Sequence, residues 1–189
     1  MPAIESQMMP LGSPAPDFTL PDPSGTAHSL SDAGEAPVVV VAFICNHCPY
    51  VKHIAPALAG VSSEMIDRGV AVFGINSNDA AQYPDDSPEQ MERESAVLGY
   101  RFPYLVDGDQ SVARAYGAVC TPDLFVFDRD RNLAYRGQFD STRPSSGGPA
   151  TGVDLVDAVE ALLEGRPVPE PQQPSLGCSI KWKPGNEPG

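Results

Sequence analysis

Basic residues are scarce: 12 lysines and arginines face 25 aspartates and glutamates, leaving a net charge of -13 over 189 residues. A surface that negative repels phosphate backbones and anionic lipid heads, which sets aside nucleic-acid partners and membrane-surface roles. Long apolar runs are missing too, and no segment approaches the ~20 residues that cross a bilayer. The N-terminus, MPAIESQMMPLGSPAPDF, lacks the basic flank and apolar stretch of a secretory signal, so a cytoplasmic protein is expected. Tryptophan occurs once, histidine three times and cysteine four times. So few cysteines argue against a disulfide scaffold and for reduced or chemically active thiols. No internal repeat is visible. The chain reads as one domain, residues 1–189, long enough to bury a core without staples.

Proline is abundant instead, and it is unevenly placed: 12 of 21 lie in residues 1–23 and 165–189. Residues 1–16 and 165–189 are therefore expected to be extended arms, with the fold carried between them. DFTL (17–20) and TAHSL (26–30), around a PDPSG turn, predict a hairpin. PVVVVAFI (37–44) and GVAVFGI (70–76) are continuous apolar runs, the mark of strands covered on both faces. Between them Val51, Ile54, Leu58, Val61 and Met65 fall at helical spacing, with Pro56 expected to kink the helix. Ser87, Pro88 and Gln90 form the start of a second helix, to about Tyr100. A strand at 103–107, a short helix at 109–117, a hairpin of 123–127 with 133–139 and a helix through Leu155, Val159 and Leu163 complete the pattern. Strands alternating with helices and closed by a hairpin predict an α/β fold with a mixed central sheet flanked by helices.

The stretch FICNHCPYVKH (43–53) holds two of the four cysteines and two of the three histidines. Cys45 and Cys48 stand where a buried strand ends and a helix begins. Amide donors and the partial positive charge at a helix start stabilise a thiolate, and a protonated His47 would add to that. Two residues between the sulfurs let one resolve a mixed disulfide made by the other. The placement thus suits dithiol exchange. Cys45 is expected to carry the lower pKa, with Cys48 deeper in the first helical turn. A structural zinc site would need four ligands, and Cys120 and Cys178 stand alone with no second C-x-x-C. A non-catalytic Cu(I) site on Cys45, Cys48 and a histidine is the metal alternative. His53 reads as a surface histidine, His28 as isolated, Phe43 as core, and SSGGPATG (145–152) as a flexible connection without P-loop spacing.

The strings APDFTLPDPSG, CNHCPYV, FGINSND, YGAVCTPDLFVFD and GCSIKWKPG resemble a bacterial group of peroxiredoxin-like proteins. That group belongs to the alkyl hydroperoxide reductase/thiol-specific antioxidant branch of the thioredoxin superfamily. The resemblance covers nearly the whole chain. It implies a thioredoxin fold with an N-terminal β-hairpin and an extended C-terminal arm, and a redox-active centre acting without a cofactor. Carried over by position, Cys45 is the attacking and Cys48 the resolving cysteine, and Pro122 is the cis-proline that shapes the substrate groove. Thr121, Tyr50 and Asn46 are implied as substrate-binding residues beside a catalytic set of Cys45, His47, Cys48 and Pro122. The implied partners are a protein or small-molecule disulfide and a thiol reductant. Two departures matter. The buried acid that thioredoxins carry six residues before the first cysteine is Val39 here, which leaves no carboxylate relay at that position. In the peroxiredoxin alignment Cys48 would be peroxidatic, with Cys45 in place of a threonine and the partnering arginine missing; thiol peroxidase activity is the enzymatic alternative.

In the C-terminal arm Leu176, Cys178, Ile180 and Trp182 alternate with Gly177, Ser179, Lys181 and Lys183, so the four should share one face. The arm is expected to dock on the domain through that face. Cys120 and Cys178 are accessory thiols, either a second redox pair or buried space-fillers.

Overall fold

The computed structural model describes residues 3–145 and 148–188. Along the chain come β1 (Ile4–Glu5), β2 (Thr19–Pro21), β3 (Ala27–Ser29), β4 (Val39–Phe43), α1 (Pro49–Asp67) and β5 (Ala71–Asn76). They are followed by α2 (Pro88–Leu98), β6 (Tyr104–Val106), α3 (Ser111–Tyr116), β7 (Cys120–Thr121) and β8 (Asp123–Phe127). The last elements are β9 (Leu133–Gly137), α4 (Val153–Leu163) and β10 (Leu176–Ser179). The central sheet has the order β6-β5-β4-β8-β9, parallel at β4–β5 and β5–β6 and antiparallel at β4–β8 and β8–β9. This is the mixed sheet that the sequence predicts, and β2–β3 is the expected hairpin.

β4 shows why its run is continuously apolar. Val40, Ala42 and Ile44 alternate into a core shared with Ile54 and Leu58 of α1 and Leu155 and Val159 of α4. Val39, Val41 and Phe43 face the opposite core, with Val112 and Tyr116 of α3 and Phe18 beside the hairpin. A strand that supplies both layers has no polar face to show. The helix continues through Pro56, and its buried seam is Val51, Ile54, Leu58 and Met65, with Val61 half-buried. Ser87 caps α2 by accepting from Gln90 N, with Pro88 in the first turn. Ser146 and Gly147, in the stretch read as a flexible connection, lie outside the described residues.

The C-terminal arm folds back as β10, the middle strand of a small antiparallel sheet, β1-β10-β7. Its register sets Cys178 opposite Thr121 and Ser179 opposite Cys120. The expectation that all four apolar side chains share one face is corrected. Cys178 joins the core under α1, whereas Ile180 and Trp182 pack against the other core. Regular pairing stops at Ser179. Beyond it Ile180 N donates to Val119 O and Lys181 N to Asn78 Oδ1, so loop contacts rather than the strand pleat aim the side chains. Gly177 has no room for a side chain, because a Cβ there would stand 2.0 Å from Thr121 O and 3.2 Å from Pro122 Cδ. A Gly177→Ala variant is therefore expected to lose about 1–3 kcal/mol by overpacking, read as a lower denaturant midpoint at unchanged m-value. A midpoint equal to the parent's would mean that the arm does not press on the Thr121-Pro122 backbone.

Candidate active site

The dithiol loop spans the gap between the last residue of β4 and the first of α1. Cys48 is the N-cap of α1, with Pro49 in the first turn. Its sulfur thus sits where the first amides of a 19-residue helix lack intrahelical partners. Cys45 lies opposite, its Sγ 3.2 Å from Thr121 Oγ1, and the Cys48 thiol faces Thr121 O at 3.3 Å. Both are buried. The Thr121-Pro122 peptide bond is cis, as the resemblance implied. One residue therefore touches both sulfurs of the pair.

The charge on this pair falls on Cys48. Its pKa drops from an ordinary 9.0 to about 5, first through a hydrogen bond from the Cys45 thiol and then, against the cost of burial, through the Cys178 thiol and the amides of Val51 and Cys178. Cys45 moves the other way: burial raises its pKa well above 9.0, and the Cys48 sulfur and the Asp86 carboxylate push in the same direction. The two share one titration, in which Cys48 takes the lower pKa although its sulfur also faces the Thr121 carbonyl. The expectation of a lower pKa at Cys45 is reversed. Sequence spacing marks a thiolate site at a helix start, but the first-turn amides and the arm reach the second sulfur rather than the first.

A pH dependence follows. A depressed pKa keeps Cys48 ionised on the acid side of neutrality, so its alkylation by iodoacetamide should stay level from about pH 8 to 6 and fall only through about pH 5. An ordinary thiol would already lose reactivity below ~8.5. A profile still rising steeply above pH 7, mapped by mass spectrometry to Cys48, would contradict the assignment.

The region around Cys45 is organised by a residue that the sequence did not single out. Asp86 ends a turn of 3-10 helix, Pro84–Asp86, just before α2, and its side chain is wholly buried. It accepts from Asn46 N at 2.7 Å, Asn76 Nδ2 at 3.3 Å and Asn78 Nδ2 at 2.9 Å. His47 Nδ1 lies 2.5 Å from its other oxygen, and the imidazole stacks on Tyr83. His47 thus bonds to Asp86, on the Cys45 side of the pair, while its Nε2 is buried without a hydrogen-bond partner. Asn46, implied as substrate-binding, is structural in this geometry: its Nδ2 donates to Asp85 O and its Oδ1 accepts from Tyr104. The carboxylate missing at Val39 is supplied from another segment altogether. The signal available in the sequence was the acidic pair in YPDDSP, which only a turn folded over the dithiol could bring into use.

A second acid lies behind the cis-proline. Asp123 opens β8, and its carboxyl is buried. The Ser175 and Ser6 hydroxyls and the Leu124 amide lie close enough to favour its charged form, though none makes a well-aligned hydrogen bond to it. Burial outweighs them and pushes the pKa of Asp123 well above that of an ordinary carboxyl. Cys120 is also buried, and desolvation pushes its thiol up. Cys120 Sγ faces Pro122 O at 3.9 Å, and its register partner is Ser179, whereas Cys178 stands opposite Thr121.

Tyr50 and Pro122 do meet in a groove. With Leu176, Gln138 and Arg143 they line a cavity of about 20 Å³, which also takes in His53. His53 is half-buried there, its Nε2 2.8 Å from Thr142 Oγ1. Thr121 is covered by β10. As for metals, Cys45 Sγ, a His47 nitrogen and an Asp86 oxygen lie within 4.8 Å of one another. That donor set differs from the copper set drawn from the sequence, because Asp86 replaces Cys48.

A model of the AhpC/TSA family matches residues 11–136. Among curated relatives, the thiol-disulfide oxidoreductase ResA of Geobacillus thermodenitrificans is 26% identical over 132 residues, 67% of this chain and 68% of that protein. A Mycobacterium tuberculosis protein named as a candidate peroxiredoxin is 31% identical over 107 residues, 57% of this chain and 63% of its own. Among solved structures, an uncharacterized conserved protein from Geobacillus kaustophilus superposes with a TM-score of 0.95 at 53% identity, covering 98% of both chains. A hypothetical protein from Sinorhizobium meliloti gives 0.94 at 48% identity, over 96% of this chain and 99% of the other. The thioredoxin domain of a thiol-disulfide oxidoreductase from Bacteroides vulgatus gives 0.62 at 21% identity, over 81% and 97%, a likeness of fold: the α/β layout is thioredoxin-like. No helix among the described residues is long and apolar enough to cross a membrane.

Proposed function

Because the chain belongs to the AhpC/TSA family, whose chemistry is thiol redox, we propose that it is a thiol-disulfide oxidoreductase working through a Cys45–Cys48 dithiol. The observation that carries this is the pair itself: two free thiols at the start of α1, both facing Thr121 beside the cis Pro122, with the lower pKa at Cys48. Cys48 attacks one sulfur of a substrate disulfide, forming a mixed disulfide and releasing the other substrate sulfur as a thiolate. Cys45 then attacks Cys48 Sγ, the Cys45–Cys48 bond closes, and the second substrate thiol leaves with the proton from Cys45. Pro122 and Tyr50 border the approach, and His47 with Asp86 holds the loop. Substrates are protein or small-molecule disulfides, and a thiol reductant in a reducing, cytoplasmic setting restores the dithiol. A net charge of -13 favours partners that are neutral or basic at the contact.

Peroxide turnover is the less supported reading, since position 45, where peroxiredoxins place a threonine hydroxyl, holds the second thiol. One reduced preparation separates the classes by insulin reduction, hydroperoxide consumption and anaerobic Cu(I) titration. Insulin reduction sustained by a thiol reductant, with peroxide consumption no faster than free thiol, is the expected result. Peroxide turnover without insulin reduction would replace the reading with a peroxidase. Stoichiometric Cu(I) binding with neither activity would replace it with a metal-binding module.

A further inference from the structure

β10 does more than cover the sheet. The Thr121 carbonyl that faces the Cys48 thiol at 3.3 Å belongs to the residue that stands opposite Cys178. The close approach is possible because Gly177, beside it, has no side chain to strike Thr121. Cys178 thus stands next to Cys48 across the Thr121 backbone, and its thiol and amide are among the groups that lower the Cys48 pKa. Cys48 therefore has two other thiols as neighbours, Cys45 on its own loop and Cys178 on the arm, and all three lie in one apolar cluster.

We propose that Cys178 is a second redox partner of Cys48, so that a disulfide formed at Cys45–Cys48 passes on to Cys48–Cys178. The proposal rests on the exchange reading above. In the oxidised dithiol the Cys178 sulfur gives up its proton and attacks Cys48 Sγ. The Cys178–Cys48 bond forms, the Cys45–Cys48 bond breaks, and Cys45 leaves as the thiolate and takes up that proton. Oxidation state is unchanged, so no co-reactant is needed. The step moves the disulfide from the dithiol loop to the C-terminal strand β10. It also restores Cys45 as a thiol while the protein is still oxidised. Cys120 takes no part, because its thiol is directed at Pro122 O.

The test uses the full chain and its Cys45→Ser and Cys178→Ser variants, each oxidised with stoichiometric oxidised glutathione, quenched by acid and alkylated. Linked peptides are then identified by non-reducing digestion and mass spectrometry. The parent is expected to show both Cys45–Cys48 and Cys48–Cys178 links, Cys45→Ser only the second, and Cys178→Ser only the first. Cys45→Ala, with folding checked by circular dichroism, guards against a misfolded serine variant. If both Cys45 variants are folded yet stop at a Cys48–glutathione adduct, or link Cys48 to Cys120, the proposal is overturned. Insulin reduction by the parent is read separately. A Cys48–Cys178 link without insulin reduction retires the exchange reading alone, whereas insulin reduction without that link retires only the relay.

Discussion

Cys48→Ser is expected to abolish disulfide exchange, with a loss on the order of 10³-fold or more, because it removes the nucleophile itself rather than a group that assists it. Serine in its place keeps the volume but carries no ionised sulfur, and the remaining Cys45 thiol is pushed up by burial and by Asp86. Cys45→Ser should behave differently. The first attack survives, at a rate lowered by loss of the Cys45 thiol beside Cys48, and resolution passes to Cys178. Removing Cys178 as well leaves no thiol in reach of Cys48, so Cys45→Ser/Cys178→Ser should accumulate the mixed disulfide and become the form with which to capture substrates. Near-parental insulin reduction by Cys48→Ser would place the attack on Cys45 and restore the order expected from the C-x-x-C alone.

Asp86→Ala should carry the largest stability cost outside the core. Removing the carboxylate strands the Asn46 amide, the His47 Nδ1 and the side-chain amide of Asn78, and leaves Asn76 Nδ2 with Tyr104 Oη alone. Buried groups left without partners cost about 1–3 kcal/mol each before relaxation, so a loss of about 3 kcal/mol or more is expected in denaturant unfolding. The effect on chemistry has a definite sign. Asp86 raises the Cys45 pKa through its charge, so its removal eases ionisation of Cys45. Asp86→Asn separates the two effects: it keeps much of the volume, removes the charge, and should raise the share of Cys45 in alkylation near neutral pH. Unchanged labelling in a folded Asp86→Asn would show that the charge on Asp86 does not reach the pair.

The amino-acid sequence alone determined the five strands of the central sheet, the β2–β3 hairpin and the four helices, in order. β4 reads correctly because five consecutive buried residues can only come from a strand covered on both sides, and α1 because its apolar residues repeat with the helix turn. These patterns are set by neighbours along the chain. The dithiol is legible for the same reason, since its position between strand and helix is a local property. Only the tertiary structure decided which sulfur holds the charge. Asp86 reaches the loop from a turn 40 residues away from Asn46, and Thr121 meets Cys48 across 73 residues. Cys178 reaches Cys48 through a strand of four residues whose register is set by Cys120 and Thr121. No periodicity encodes such encounters. The same cysteine spacing would serve a thiolate on either sulfur, and long-range packing places the amides and the third thiol around Cys48 and the carboxylate beside Cys45.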